Sequence, residues 1–140
     1  PPPVVYVTMA WGHLSKRAGP YFDRWVALQL PMLLFLALDA EAVTTCRQRS
    51  DAHPGRIACI EMPQRFGVEG TVAKYIALAI AAQCARLVTW VDLDVYFPSD
   101  PTAALERTLK GQGSPPLALG TTTTSRSLTP SILVARGVEA

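Results

Sequence analysis

The sequence predicts an α/β domain with a mostly parallel sheet that is covered by helices on both faces. Short apolar runs alternate along the chain with segments that have helical spacing and helix-starting residues. The run at residues 32–38 is apolar at every position, which is typical of a parallel strand buried on both faces. Together these observations indicate crossover connections of the β-α-β type, which are right-handed.

The predicted elements follow the order β-α-β-α-β-α-β-α-loop-β. Strands are predicted from apolar and β-branched runs at residues 4–8, 32–38, 56–60, 87–91 and 131–136. Helices are predicted at residues 21–30, 40–49, 71–85 and 101–110. Residues 111–130 are rich in Gly, Pro, Ser and Thr, and we expect them to form a flexible surface loop.

Prolines mark the ends of the first predicted helix. Residues 12–19 are expected to form a polar turn, and Pro20 then occupies a position where helices often begin. Pro31 stops the helix, because proline lacks the backbone N–H that a helix interior needs. In the third helix, Ile76 and Ile80 recur at helical spacing and are expected to belong to one apolar face.

Composition limits the class of protein. The 140 residues suffice for one domain, and 49% apolar with 17% charged residues is typical of a globular chain. The net charge is +2 without a basic run or stripe, so no nucleic acid partner is expected. The apolar stretches at residues 26–38 and 72–91 are too short or too often interrupted to predict membrane spans. Because the chain lacks a starting Met, we expect one partial domain over residues 1–140, with any membrane anchor outside it.

The cysteines and histidines have no metal-site spacing. Cys46, Cys59 and Cys84 form no C-x-x-C pair, which predicts neither a zinc site nor a disulfide framework. We expect them to be small buried hydrophobic residues, with one disulfide in a secretory lumen as the alternative. His13 and His53 fall in predicted loops and are interpreted as ordinary surface residues.

Polar residues follow several of the predicted strands. Ligands of such sheets bind beyond the carboxyl ends of the strands. This rule selects Thr8 after the first strand, Asp39 after the second, and the pair Asp92 and Asp94 after the fourth. These positions are therefore the candidate binding residues.

Asp92 and Asp94 form a D-x-D motif that suits a divalent cation. If the strand geometry continues through them, both side chains point to the same side. Two carboxylates about 6 Å apart would repel by roughly 3 kcal/mol at an effective dielectric near 20, and a cation removes that cost. Carboxylate oxygens suit Mg²⁺ or Mn²⁺. The motif alone is weak, with about 0.25 matches expected by chance, so its position in the chain carries the argument. The alternative is that both residues merely end a strand and begin a turn.

The surroundings of the motif resemble the nucleotide-diphospho-sugar transferase family, which includes plant and algal arabinosyl-, xylosyl- and galactosyltransferases. The resemblance rests on a helix led by Lys74, an apolar strand, the D-x-D motif, the pair Tyr96-Phe97, and Asp100-Pro101. Supporting similarity extends upstream, so that the resemblance covers about residues 4–105. It implies a Rossmann-like GT-A nucleotide-sugar-binding domain, truncated at its C-terminus.

The resemblance also implies roles for particular residues. Asp94 would bind the metal, Mn²⁺ or Mg²⁺, directly, and Asp92 would contact the ribose, or the metal through water. Thr8 and Asp39 would lie near the base and ribose, and Lys74 would reach the diphosphate or sugar. Two alternatives stay open from the residues themselves: Lys74 is a solvated helix residue, or Asp39 is the N-cap of the second helix.

The function that the resemblance implies is metal-dependent transfer of a sugar from a nucleotide-diphosphate sugar, with a UDP-sugar favoured, to a glycan or glycoprotein acceptor. It also implies localisation in the Golgi or secretory lumen. No catalytic residue can be named, since the family's later metal-binding and acidic residues would lie beyond Ala140.

Two other functions compete with glycosyl transfer. The first is a non-catalytic fragment that binds a nucleotide sugar or a partner protein. The second is an aspartate-nucleophile phosphatase, which also has a strand ending in D-x-D. This second interpretation is disfavoured because Tyr96 stands where those enzymes have Thr or Val, and because three predicted strands precede the motif.

Overall fold

The computed structural model describes residues 4–61, 70–111, 117–120 and 132–136. The described helices are α1 (Ser15–Ala27), α2 (Ala40–Ala52), α3 (Gly70–Ala82) and α4 (Thr102–Gly111), with a short 3-10 turn at Gly12–Leu14. The strands are β1 (Val4–Ala10), β2 (Met32–Ala37), β3 (Ile57–Glu61), β4 (Leu87–Val91), β5 (Leu117–Gly120) and β6 (Ile132–Arg136).

The strands form one mixed sheet in the order β3-β2-β1-β4-β6-β5. The first four strands in that order are parallel, with Tyr6 of β1 paired to Leu33 of β2 and to Thr89 of β4. Strand β6 runs antiparallel to β4, and β5 runs antiparallel to β6. The predicted α/β class with a mostly parallel sheet is confirmed.

Helices cover both faces of the sheet, as predicted. Alternate residues of β1 divide between the two layers because successive side chains of a strand point in opposite directions. Tyr6 packs in the core formed with α1 and α2, whereas Val7 packs in the core formed with α3. The α1 side is rich in aromatic rings, with Phe22 against Phe35 at 4.6 Å between centroids.

Helix α1 begins six residues earlier than predicted, so the expected turn at residues 12–19 is wrong over most of its length. Pro20 lies inside the helix instead of at its start. Only one helical hydrogen bond is lost there, and packing of the preceding turn against α2 compensates. Gly19 shows this contact, because an added Cβ would come within 3.2 Å of the Arg49 side chain.

The end of α1 is a Schellman motif that stops the helix before Pro31. Gln29 has φ of 52°, and its N–H donates to the carbonyl of Val26 at 3.0 Å. The N–H of Leu30 donates to the carbonyl of Trp25 at 3.3 Å. The chain therefore leaves the helix through a left-handed residue, a feature that the proline alone did not predict.

Helix α3 presents a different face to the sheet than its isoleucines suggest. Ala73, Ala77 and Ala81 are buried, whereas Ile76 is 41% exposed and Ile80 is 52% exposed. Small residues allow the helix to lie close to the sheet, and this packing decides which face is buried. No helix in the described part of the chain is long and apolar enough to cross a membrane.

Two further features differ from the sequence-based expectations. Strand β5 lies within residues 111–130, which were predicted as loop, and residues 112–116 and 121–131 fall outside the described part. Cys46 and Cys59 form a disulfide between α2 and β3, with Cα atoms 5.9 Å apart. The disulfide was the alternative left open, and Cys84 is exposed rather than buried.

Candidate functional site

A cleft lies beyond the carboxyl ends of β1 and β4. The chain runs from β1 outward to β2 and β3 and then returns to place β4 on the other side of β1. Parallel sheets bind ligands at such a reversal of strand order. The cleft encloses about 590 Å³, including the solvent at its mouth. It is lined by Met9, Trp11, Leu14, Arg17, Trp90, Asp92, Leu93 and Asp94.

The D-x-D motif forms a turn at the edge of this cleft. Strand β4 ends at Val91, and the N–H of Val95 donates to the carbonyl of Asp92 at 3.0 Å. The strand geometry therefore does not continue through Asp92 and Asp94, and strand alternation does not place their side chains together. The turn instead brings both residues to the cleft, with Leu93 buried in the core beside them.

Asp92 is held from one side by two residues of the fold. The indole N–H of Trp90 donates a hydrogen bond to Asp92 Oδ1 at 2.8 Å. Lys74 Nζ lies 3.9 Å from the same oxygen. The Asp92 side chain remains 37% exposed, so it is fixed by the protein and still accessible from the cleft.

Lys74 is buried, so its interpretation as a solvated helix residue is wrong. Its side chain is 3% exposed, and Nζ lies 4.9 Å from the centre of the Trp90 ring. Burial lowers the pKa of the Lys74 ammonium, and the nearby Asp92 carboxylate opposes that shift. The structure thus joins Lys74 to the motif through two contacts, one with a carboxylate and one with an aromatic face.

Asp39 occupies the strand end next to the cleft and binds groups of the protein. Its carboxylate accepts hydrogen bonds from the N–H of Ala42 at 2.8 Å, the hydroxyl of Ser15 at 2.8 Å, and the N–H of Gly12 at 2.6 Å. Asp39 is therefore the N-cap of α2, as the alternative interpretation held. Burial alone would raise the pKa of Asp39, but these hydrogen bonds outweigh it and lower the pKa.

Thr8 lies inside the sheet rather than at its edge. Strand β1 continues to Ala10, so Thr8 is fully buried two residues before the end. Its hydroxyl has no hydrogen-bond partner among the described residues. The side chain is not among those that line the cleft.

Trp11 and Arg17 are among the cleft residues that were not predicted. Trp11 follows β1 directly and is 42% exposed, and Arg17 lies on the first turn of α1. The rule that ligands bind after strand ends could have selected Trp11. Arg17 was missed because the helix was expected to begin at residue 21, which left Arg17 in a turn of undefined direction.

The chain after the motif is fixed by aromatic contacts. The ring of Tyr96 lies 5.5 Å from Tyr21 of α1, and the ring of Phe97 lies 6.2 Å from Tyr6 of β1. Burial raises the pKa of the Tyr21 hydroxyl, with smaller effects from Tyr96 and the two aspartates. These contacts hold the position of the turn relative to α1.

The carboxylates suit a metal ion that is shared with a ligand. The described residues contain no group of three or more acidic, His or Cys side chains that could enclose an ion. Two carboxylates at a cleft are nevertheless a usual protein share for Mg²⁺, which keeps waters and binds substrate phosphates at its other positions. Asp92 and Asp94 therefore fit such an ion if a phosphate-bearing ligand completes its coordination.

The fold is similar to several solved structures. The 4-diphosphocytidyl-2C-methyl-D-erythritol synthase of Anaerococcus prevotii aligns with a TM-score of 0.62 at 10% identity, over 95% of this chain and 70% of that chain. The glycosyltransferase GlyE of Streptococcus pneumoniae aligns with a TM-score of 0.60 at 15% identity, over 96% and 34%. The galactosyltransferase LgtC, solved with donor and acceptor sugar analogs, aligns with a TM-score of 0.59 at 13% identity, over 94% and 57%.

These similarities show the fold. The chain has the Rossmann-like GT-A architecture that was predicted, and it spans 34% of the GlyE chain and 57% of the LgtC chain. The sequence matches no protein-family model and is not significantly similar to a curated protein. Function must therefore be argued from the cleft itself.

Proposed function

We propose that this chain is the donor-binding part of a metal-dependent glycosyltransferase that uses a nucleotide-diphosphate sugar. The observation that carries the proposal is the D-x-D turn at the cleft between β1 and β4, with one aspartate held by Trp90 and Lys74. The fold is shared with GlyE and LgtC, which are glycosyltransferases. A UDP-sugar is the proposed donor, and a glycan or glycoprotein is the proposed acceptor.

Different residues of the site would bind the metal ion and the nucleotide. Asp94 is exposed at the cleft and would bind Mn²⁺ or Mg²⁺, and Asp92 would contact the ion through water or the ribose. Arg17 would supply positive charge for the diphosphate from the wall of the cleft, and Lys74 would supply it from its buried position beside Asp92. The resemblance predicts that Asp39 lies near the nucleotide, and because its oxygens already accept from protein groups, we propose a supporting role for it.

The proposed chemistry is a substitution at the anomeric carbon of the sugar. The bond from that carbon to the diphosphate oxygen breaks, a bond to an acceptor hydroxyl oxygen forms, and the acceptor proton leaves to a base. A bound metal ion would neutralise negative charge on the departing diphosphate. The side chains of the cleft would hold the leaving group in place.

The proposal predicts that Asp94→Ala abolishes metal-dependent nucleotide binding. Isothermal titration of the full-length protein with UDP, with and without Mn²⁺, measures this. Asp51→Ala is the matched control, because Asp51 is exposed near the end of α2 and does not line the cleft. Wild-type protein that binds UDP equally well without metal, or Asp94→Ala that binds as wild type does, would contradict the proposal.

The non-catalytic alternative shares the same binding site. The chain spans only part of the solved glycosyltransferases that it resembles, so donor binding and sugar transfer are separable properties. Release of free UDP from a UDP-sugar by the full-length protein distinguishes them. Metal-dependent binding without any release, across a panel of UDP-sugars and acceptor glycans, would favour a binding module.

We propose the Golgi or secretory lumen as the location. The disulfide between Cys46 and Cys59 supports an oxidising compartment, because disulfides are rare in the cytosol. Of the three cysteines in this chain, we expect only Cys84 to be open to alkylation in denatured, unreduced protein from its native source. Mass spectrometry before and after reduction counts the thiols, and three free thiols before reduction would contradict the proposed location.

A further inference from the structure

We propose that Trp90 is a positioning residue that sets Asp92 and Lys74 for the metal-bound nucleotide. The inference rests on the proposed function and goes beyond it, because it assigns the order of the site to an aromatic residue of the sheet. One ring contacts both charged groups: its N–H donates to Asp92 Oδ1 at 2.8 Å, and its face lies 4.9 Å from Lys74 Nζ.

The strand fixes the direction of the indole group. Trp90 lies in β4 and Asp92 directly follows the end of that strand, and the hydrogen bond between their side chains shows that both lie on the same side of the chain. Trp90 is 2% exposed and packs in the core between the sheet and α3, where Ala77 and Ala81 also lie. A buried ring cannot rotate freely, and the direction of its N–H is therefore set before any ligand arrives.

The hydrogen bond selects which oxygen of Asp92 is available. Trp90 and Lys74 both act on Oδ1, and among the described residues no hydrogen bond reaches Oδ2. An indole nitrogen can only donate, so Asp92 Oδ1 is the acceptor in this contact. Asp92 is therefore held through Oδ1, and this contact restricts the rotation of a side chain that is 37% exposed beside the cleft.

The face of the Trp90 ring makes a second contact. The buried ammonium group of Lys74 makes a cation–π contact with this face, and the contact keeps Lys74 beside Asp92. Replacing the indole by a phenyl ring keeps an aromatic face and removes the N–H donor. Trp90→Phe therefore separates the orientation of Asp92 from the support of Lys74.

The first experiment compares two buried tryptophans in the full-length protein. Trp90→Phe is expected to weaken Mn²⁺-dependent UDP binding about 10- to 100-fold, the usual effect of losing a group that orients a metal-site carboxylate. Trp25→Phe is the matched control, because Trp25 is 3% exposed and its N–H donates to the carbonyl of Pro31 at 2.7 Å. Trp25 does not line the cleft, so its variant should bind UDP within about twofold of wild type.

The second experiment asks whether Trp90 acts through Asp92. Trp90→Phe is combined with Asp92→Asn in a double-mutant cycle on the dissociation constant of UDP with Mn²⁺. We expect Trp90→Phe to add less than about twofold in the Asp92→Asn background. Additive losses in the double variant, or wild-type affinity in Trp90→Phe, would overturn the positioning role.

The experiments distinguish failure of the proposed function from failure of the positioning role of Trp90. If the wild-type protein shows no metal-dependent UDP binding, the proposed function fails before Trp90 is tested. If Trp90→Phe does not fold, a benzothiophene analogue of tryptophan at position 90 keeps the shape of the ring and lacks the N–H. The same loss of affinity is expected for that analogue, and unchanged affinity would overturn the proposal.

Discussion

Asp39 and Asp92 lie at the same edge of the sheet, and their carboxylates bind different groups. Asp39 follows β2 and accepts from Gly12, Ser15 and Ala42, all groups of the protein. Asp92 follows β4 and uses one oxygen for Trp90 and Lys74, while its side chain stays 37% exposed. The same residue type at equivalent strand ends therefore serves the fold in one place and remains open to a ligand in the other.

The difference shows that position at a strand end identifies candidate residues without assigning their roles. A carboxylate whose oxygens already have protein donors gains little from a ligand, because each new contact must replace an existing one. A carboxylate with a free oxygen beside a cleft gains a partner at no such cost. We therefore expect mutation of Asp39 to reduce stability, and mutation of the D-x-D turn to reduce ligand binding.

The largest expected effect is the loss of stability in Asp39→Ala. The substitution removes the N-cap of α2 and the links to Gly12 and Ser15, and we expect the free energy of unfolding to fall by about 2 kcal/mol. Denaturant unfolding measures this. Asp23→Ala is the matched control, because its exposed ion pair with Arg49 should contribute about 0.5 kcal/mol or less.

The pH dependence of that effect has a defined sign. The pKa of Asp39 is lowered in the folded protein, so its stabilisation is fully present above the unfolded pKa of about 4. It is lost as the pH falls through the lowered folded pKa, and the gap between wild type and Asp39→Ala should narrow there. Folded Asp39→Ala that no longer binds UDP would instead show direct nucleotide contact and break the comparison.

The strands and the position of the candidate residues at the carboxyl end of the sheet were largely predictable from sequence. A fully apolar run such as β2 admits few other structures, and the position of Asp92 and Asp94 directly after the mostly apolar β4 predicted that they lie at this edge. The mutual geometry of the two aspartates was not predictable. It depends on a turn closed by the N–H of Val95, which no periodicity in the sequence encodes.

Long-range packing explains the remaining differences. Lysine is usually a surface residue. Lys74 is buried because the alanines of α3 allow the helix to lie close to the sheet, while Ile80 remains on the exposed face. The early start of α1 has a similar cause, since contact with α2 outweighs the signal of Pro20. Local propensity is a weak guide wherever such tertiary contacts decide.

The smaller expected effect concerns α1, whose first turn contacts Asp39 and also lines the cleft. Ser15 donates to Asp39, while Arg17 lines the cleft with the D-x-D turn. We expect Arg17→Ala to weaken UDP binding about 10-fold, since it removes a charged donor to the diphosphate, and to leave the free energy of unfolding unchanged within about 0.5 kcal/mol. This pattern is the reverse of the one expected for Asp39→Ala.

The control for Arg17 is its neighbour on the same helix turn. Lys16 is exposed and does not line the cleft, so Lys16→Ala removes the same charge from the same turn without removing a cleft residue. Titration with UDP and Mn²⁺ should therefore separate the two variants, with the larger loss of affinity in Arg17→Ala. Equal losses in both variants would mean that net charge near α1 attracts the nucleotide, and that the cleft has no specific phosphate contact at Arg17.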